Sequence, residues 1–390
     1  MKRAYKYRFY PDTQQRELLE RTFGCVRVVW NHVLQEHSRQ YRETKTSVSI
    51  SSLNKILTDL KNTEGYEYLK EVASVPLQQA IVSHQYKAFG NFFKKNAAYP
   101  TFKSRRKSKK SAAFTGTSFR YRDGKLTLAK MEKPLNVIWH RALPDEAKPS
   151  TVTVSKDKAN RWWVSMLVEE TVQHLPPVDS EVGIDWGVSK LATLSNGKVY
   201  ENPRLTKIYA KRLAQAQRAV LTKKRGSENR AKAKLRVTRI HAKIADSRKD
   251  FLHKMTTEIV RENQAIYLQD SNYGGMTAKA KPKLDEDGTT YLPNGRAAKK
   301  GLSKAILGTA PFMMTEMLKY KAEVYGRTFA LTPRFEVTTG LCSGCGTLNK
   351  LQLNQRTLRC AHCGLVIDRD LNAAKNILAQ GHRANTAIAV

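Results

Sequence analysis

The spacing of apolar positions divides the chain into blocks of different texture. Residues 1–10 alternate charged and aromatic side chains (Lys6, Tyr7, Arg8, Phe9, Tyr10), the period of a strand, and Pro11 stops it. Asp12 or Thr13 can then cap a helix through QQRELLERTFGCVRVVWNHVLQEHSRQYRE, whose apolar residues recur at helical spacing. The same spacing continues in SSLNKILTDLKN and VPLQQAIVSHQYKAFGNFFKK, which predicts a mainly helical block from about 13 to 96. After AAYPTF the period falls to two. Short alternating runs, AAFTGTSFRYRDGKLTLAK, LNVIWHRAL and STVTVSKDKANRWWVSMLVEET, are punctuated by turn residues at Asp123-Gly124 and from Asp157 to Asn160. They predict a small β-barrel or curled sheet that the N-terminal strand joins, with the helical block inserted between. LPPVDS, 175–180, reads as a linker.

From residue 181 the pattern predicts a strand, EVGIDWG, and a hairpin partner, SKLATLSNGKVY. A basic helical hairpin from 205 to about 262 follows, broken at RGSEN (225–229). Then come a strand AIYLQD, a polar loop over 276–300, a helix from about 302 to 325 and a strand RTFALTPR. Two cysteine pairs precede a final amphipathic helix, DLNAAKNILAQGH. No repeat recurs at solenoid spacing.

Composition narrows the partner. At 390 residues and 41% hydrophobic, the chain can bury a large core in two to four domains. Lysine and arginine outnumber acids 69 to 34, a formal charge of +35 spread along most of the sequence. That excess predicts a polyanionic partner, nucleic acid rather than membrane. No apolar run approaches the ~18 residues that span a bilayer, and MKRAYKYRFYP lacks the apolar region of a signal peptide, so a soluble cytoplasmic, nucleoid-associated protein is expected.

Four of the five cysteines form a CxxC–x14–CxxC array, Cys342, Cys345, Cys360 and Cys363. Each pair can wrap a tight knuckle, eased by Gly344 and Gly364, so that four thiolates face one tetrahedral ion. Such a closed set favours structural zinc. His362 is expected to be an exposed spare and Cys25 a core residue.

Acids give a second candidate centre. Asp185 lies inside the apolar strand VGIDWG, where a carboxylate is costly unless paired or metal-bound. Asp370 opens the last helix, although Asp368 or Asp370 could simply cap it. Glu258 and Glu262 read as a solvated helix face. The order strand with Asp, hairpin, strand ending in an acid, then C-terminal helix with Asp is RNase H-like. In that arrangement acids converge on two magnesium ions that activate water for phosphodiester attack.

GIDWGVSKLATLS, DFLHKMTTEIVREN, KYKAEVYG, the two CxxC pairs and DRDLNAAKNI together resemble TnpB, the insertion-sequence-encoded RNA-guided nucleases, which are similar to the smallest type V CRISPR effectors. YRFYPDTQQRELLERTFGCVRVVWNHVL and FKSRRK fit as well, so the resemblance covers nearly the whole chain. It implies a multidomain α+β protein. Residues 1–12 and 97–175 would form a wedge β-barrel, and 13–96 an inserted helical recognition lobe. Residues 180–337 and 367–390 would form a RuvC-like (RNase H-like) α/β domain interrupted by a zinc ribbon at 338–366. It also implies one protein per guide RNA and a double-stranded DNA target with an adjacent motif.

Carried over by position, Asp185 matches the first catalytic acid and Asp370 the third, as magnesium ligands. The second, a glutamate in the family, reads Gln269. An amide keeps the length of glutamate, loses its charge and presents an NH2 to the metal. If the poorly held ion supplies ~4 kcal/mol to the transition state, cleavage slows about a thousandfold. Asp270 should face the other side of the strand unless a bulge re-aims it. The expectation is therefore an RNA-guided DNA-binding protein with impaired cleavage. Either the amide is native, as in nuclease-dead repressors of transcription, or it replaces a glutamate to trap a complex. An active transposon endonuclease, a strand-transferring transposase and a zinc-ribbon regulator without guide RNA are the alternatives. Phosphate contacts are expected from Lys103, Arg105, Arg106, Lys107, Lys109 and Lys110. The helical hairpin adds Lys223, Lys224, Arg225, Arg230, Lys232, Lys234 and Arg236. Tyr5, Tyr7, Phe9 and Tyr10 divide between base stacking and the barrel core.

Overall fold

The computed structural model describes residues 1–45, 49–144, 147–352 and 354–388. Its chain forms two compact units, Met1–Thr171 and Val172–Val390. In the first, the alternating N-terminus becomes strand β1 (Lys2–Phe9), with Tyr5, Tyr7 and Phe9 buried on one face. Three of the four aromatic residues considered for stacking are thus core, and Tyr10 alone is exposed. Asp12 accepts the Gln15 amide while the Gln15 side chain accepts the Asp12 amide, a capping box that starts helix α1 (Thr13–Thr44). Helices α2 (Ile50–Asn62) and α3 (Ser74–Gln78), a π-helical stretch Gln79–Gln85 and α4 (Tyr86–Phe93) complete the helical block.

Strands β2 (Lys110–Thr115), β3 (Phe119–Arg122), β4 (Lys125–Leu128), β5 (Val137–Ile138), β6 (Thr151–Lys156) and β7 (Trp162–Glu169) follow. They build an antiparallel sheet of order β2-β6-β7-β1-β5 and a separate β3–β4 hairpin. The N-terminal strand pairs with β7 along its whole length. Trp162 joins sheet to helix, its ring 5.9 Å from both Phe9 and Phe23. Cys25 is buried in this core, which pushes its thiol up to about 11.

The second unit opens with a meander, β8 (Glu181–Trp186), β9 (Lys190–Leu194) and β10 (Val199–Glu201). Helices α5 (Leu205–Ile208), α6 (Ala210–Leu221) and α7 (Glu228–Glu262) lead to β11 (Ala265–Gln269). Next come α8 (Tyr273–Thr277), a hairpin β12 (Lys283–Leu284) with β13 (Tyr291–Leu292), α9 (Arg296–Thr309), α10 (Pro311–Tyr325) and β14 (Thr328–Thr332). The sheet order is β10-β9-β8-β11-β14, with β8, β11 and β14 parallel. A hairpin of β15 (Thr357–Arg359) and β16 (Val366–Asp368) precedes α11 (Arg369–Ile388).

Both faces of this sheet are covered, which is why β8 and β11 read as continuous apolar runs rather than alternations. Val182, Ile184, Ile266 and Leu268 pack on Leu252, Met255 and Ile259 of α7 and on Met314, Met317 and Leu318 of α10. The opposite face, with Ala265 and Tyr267, meets Ile377 and Leu378 of α11. Inside KYKAEVYG, the buried Lys321 donates to the His253 carbonyl (2.7 Å) and to the hydroxyls of Thr256 (2.7 Å) and Thr257 (2.6 Å), tying α10 to α7. Burial brings its ammonium down to about 8. Two expectations need correction. The helix placed at 302–325 is two helices, because Pro311 cannot donate its amide and Ala310 before it adopts φ 52°. The polar loop at 276–300 carries the β12–β13 hairpin and the first turn of α9.

Helix α11 lies so close to β8 that a Cβ on Gly183 would sit 2.2 Å from the Ala374 carbonyl oxygen and 2.5 Å from the Leu378 nitrogen. Gly183→Ala is expected to cost on the order of 3 kcal/mol, because both opposing atoms are backbone and cannot swing away. Gly301→Ala, in open space on α9, should instead gain about 0.5 kcal/mol. Urea unfolding of the two variants measures both signs.

Candidate functional site

Asp185 sits at the C-terminal end of β8 and Asp370 in the first turn of α11, and both line one cavity of about 850 Å³. Its lining combines these two carboxylates with basic side chains, Arg204, Lys207, Lys304, Arg356 and Arg369 among them. Burial, reinforced by the charges of Asp370 and Asp368, pushes the Asp185 carboxyl up to about 7, against the opposing pull of Arg369 and Lys190. Asp368 is the residue that the sequence pattern undervalued. Its Oδ1 accepts the amides of Asp370 (3.0 Å) and Leu371 (3.1 Å), so Asp368 caps α11 and frees Asp370 for the cavity. Its Oδ2 takes Lys190 Nζ at 2.9 Å. Arg369 approaches Asp370 Oδ1 at 3.3 Å while its other arm holds the Gln355 carbonyl.

Gln269 ends β11 one position beyond the Leu268–Ile184 pair, on the sheet face that meets α11. Its side chain nevertheless does not line the cavity. Nε2 donates instead to the Glu336 carbonyl at 2.9 Å, in the segment after β14. Asp270 is drawn to the same segment, with its amide on the Thr332 carbonyl and its carboxylate 2.7 Å from Arg334. The Gln-Asp pair therefore fastens the connector out of β14. Glu258 and Glu262 are exposed but not free, since both bind Lys198 Nζ (2.7 and 2.9 Å).

The four thiols of the CxxC array close on a single point. Cys342 and Cys363 sulfurs lie 3.6 Å apart, as do those of Cys345 and Cys360, and all four fall within 4.8 Å of one another. Sulfurs at about 2.3 Å from one tetrahedral ion would be about 3.8 Å apart, so the donor set fits a metal. The Thr347 hydroxyl and amide hold the Cys345 thiol well below its ordinary value, whereas the neighbouring thiols of Cys345, Cys342 and Cys360 push that of Cys363 up. Gly346 (φ 75°) and Gly364 (φ 73°) make the two knuckle turns, so Gly346, not Gly344, shares that role. His362 is exposed. Asn372 and Asn376, buried on α11, bind this module. Both donate to the Leu341 carbonyl at 2.7 Å, Asn376 also to that of Thr338 (2.7 Å), and Asn372 accepts the Ser343 amide (2.9 Å).

The basic candidates separate by environment. Lys103 is not an exposed phosphate contact. Its ammonium lies 3.5 Å from the Trp30 ring centre, its backbone is held twice by Asn31, and burial brings it down to about 8. Lys110 is tied to Glu20 at 2.5 Å. Arg105, Arg106 and Lys107 are displayed on a turn closed by Ser104 and Ser108, and Lys109 is exposed beside it. Arg230 closes the α6–α7 corner by donating to the Val220 and Lys223 carbonyls. Lys223, Lys224, Arg225 and Lys234 are exposed, whereas Lys232 and Arg236 line a groove between α6 and α7.

Comparison with known proteins gives this arrangement its relatives. A probable transposase family matches residues 164–280, a helix-turn-helix domain family residues 1–46 and a Cas12f1-like TNB domain family residues 312–377. In this chain the 1–46 match is one strand followed by one unbroken helix. A Streptomyces pristinaespiralis protein is 45% identical over 386 residues, covering 99% of this chain and 90% of the relative. An Escherichia coli (strain K12) protein, InsQ, is 32% identical over 97% of this chain and 92% of its own. Both bear the name "Putative RNA-guided DNA endonuclease". A solved Cas12f1–sgRNA–target DNA complex shares the fold at a TM-score of 0.55 and 13% identity, covering 97% of this chain and 98% of that one. These relatives define a class of insertion-sequence nuclease-type proteins. The chain belongs to the TnpB family. Among the described residues no helix is long and apolar enough to cross a membrane.

Two measurements follow from the site. Between the ordinary aspartate value and about 7, the folded chain keeps a proton on Asp185 that the unfolded chain has released. Stability from this group is therefore present at low pH and is lost as pH rises through that window. With chelator present, Asp185→Asn should gain on the parent by on the order of 2 kcal/mol between pH 5 and pH 8. An unchanged difference in urea unfolding would refute the assignment. For the thiols, metal analysis should return one ion per chain, and Cys360→Ser should lose that ion and raise protease cleavage within 338–366.

Proposed function

We propose that this chain is an RNA-guided DNA-binding protein whose nuclease site is impaired. In this reading residues 1–12 and 97–175 are the wedge barrel and 13–96 the recognition lobe. Residues 180–337 and 367–390 are the RuvC-like domain, and 338–366 a ribbon held by zinc. Guide RNA pairs with one strand of a double-stranded DNA next to a short motif, while the protein supplies phosphate contacts and shape. Support comes from the +35 charge, the family, and the cavity lined by both acids and bases.

Asp185 and Asp370 are the residues that would hold magnesium, which supplies activation of water and charge for an in-line phosphodiester displacement. Arg204, Lys207, Lys304 and Arg356 would receive the phosphates. Arg369 and Lys190 orient the carboxylates of Asp370 and Asp368. One observation carries the impairment: the Gln269 amide is spent as a donor to the Glu336 carbonyl, a bond that no carboxylate could make. A second reading, an active endonuclease, is favoured by the nearness of Asp368, whose charge acts on Asp185 although its oxygens cap α11 and hold Lys190 outside the cavity lining.

Sequencing the RNA that copurifies supplies a matched target. With magnesium, the parent should bind that target and cut it about a thousandfold more slowly than Gln269→Glu. Comparable rates refute impairment. If the parent cuts and Asp368→Asn stops it, the second reading holds. Absence of any defined RNA removes the RNA-guided reading altogether.

A further inference from the structure

Helix α11 carries three buried side-chain amides, Asn372, Asn376 and Gln380, spaced four residues apart and therefore on one face. That face meets residues 337–343, which belong to no strand apart from a single Leu341–Leu348 bridge. Asn376 donates to the Thr338 and Leu341 carbonyls, both at 2.7 Å, and Gln380 to that of Val337 at 3.3 Å. Asn372 donates to the Leu341 carbonyl at 2.7 Å and accepts the Ser343 amide at 2.9 Å. It thus holds both peptide groups that flank Cys342, a buried member of the four-thiol set. The helix satisfies its own backbone internally, so these amides serve the neighbouring segment, whose carbonyls would otherwise be buried without donors.

Asp370 stands two residues before Asn372 on the same helix. Its neighbour Arg369 is gripped by another strip of the thiol module. The Arg369 amide donates to the Arg356 carbonyl at 2.8 Å, and its guanidinium to that of Gln355 at 2.9 Å. Thr339 and Arg356, one from each strip, line the cavity together with Asp185 and Asp370. The first turn of α11 is therefore held by the module, whereas the middle of the helix is held by the sheet, where Ala374 and Leu378 close on Gly183. An ion on the four thiols fixes Cys342 against Cys345, Cys360 and Cys363, and with it the two peptide groups that Asn372 grips. We propose that Asn372 and Asn376 are positioning residues through which metal on the four thiols sets the place of Asp370 in the cavity. This rests on the fit of the thiols to a metal and on the reading of Asp185 and Asp370 as magnesium ligands, and the test below reads the two apart.

Hydrogen exchange of the full-length protein is followed by mass spectrometry with zinc bound and after stripping by chelator. In the parent, stripping should speed exchange of residues 369–373 about tenfold while 376–382 keep their rate. Asn372→Leu should retain its zinc by metal analysis, exchange 369–373 at the fast rate with zinc bound, and change little on stripping. Should that variant not fold, Asn376→Leu is read in the same way. Lys190→Met removes the Asp368 partner and loosens the same turn without touching the module, so it should leave the response to stripping intact. A first turn that ignores stripping in the parent, or a full response in both asparagine variants, overturns the coupling. So does a rise shared equally by 369–373 and 376–382, since the module would then only support the helix as a whole. In zinc-loaded protein, Mn2+ affinity read by electron paramagnetic resonance should be about tenfold weaker in Asn376→Leu than in the parent. Equal Mn2+ affinity in those two, with Asp185→Asn weakened, overturns the setting of Asp370. Mn2+ held equally by the parent and Asp185→Asn would remove the cavity reading while leaving the exchange result standing.

Discussion

Everything at the site depends on one close approach, that of helix α11 to strand β8. Only a residue without a side chain fits at Gly183, because the Ala374 carbonyl and Leu378 amide lie where a Cβ would go. That contact puts the first turn of α11 beside the end of β8, which is what brings Asp370 and Asp185 to one cavity. A second tight contact repeats the rule further along α11, where a Cβ on Gly381 would meet the Tyr267 ring at 2.2 Å. Two small residues thus let a helix lie flat on a sheet, and the Asp185–Asp370 cavity lies at the end of that contact.

The cysteine module is anchored to the same helix. Asn372 and Asn376 spend their amides on backbone carbonyls of the segment entering the module, where an unpartnered buried carbonyl would cost about 1–3 kcal/mol. Gln269 and Asp270 fasten that segment from the other side. The four-thiol module and the placing of α11 are therefore mechanically linked through residues 332–343. The Gln269 amide supplies a donor that a carboxylate would lack, which gives it a structural role in holding the segment after β14.

Charge patterning works at two levels. The overall excess of cations attracts a polyanion from a distance, and salt screens that attraction. Binding geometry comes from which cations remain unpaired and aligned. Lys103, Lys110 and Arg230 are consumed by an aromatic ring, by Glu20 and by helix-end carbonyls, while Lys232 and Arg236 stand in a row with Arg239 and Lys243.

By itself the sequence determined the elements and the chemistry types. Periodicity located the capped helix at 13–44, the strands carrying Asp185 and Gln269, the break in the basic hairpin and the metal-type cysteine spacing, because these are local patterns set by backbone geometry. It could not show that Asp368 rather than Asp370 takes the cap, that Gly346 makes the knuckle turn, or that Ala310–Pro311 splits a helix. Nor could it show that the Gln269 amide goes to the Glu336 carbonyl, outside the cavity lining. Those outcomes were decided by tertiary structure, since each depends on a partner distant in the chain or on competition between neighbouring groups for one hydrogen bond. Residue type states what a side chain can do; only the packed neighbours decide which of its possible bonds is made.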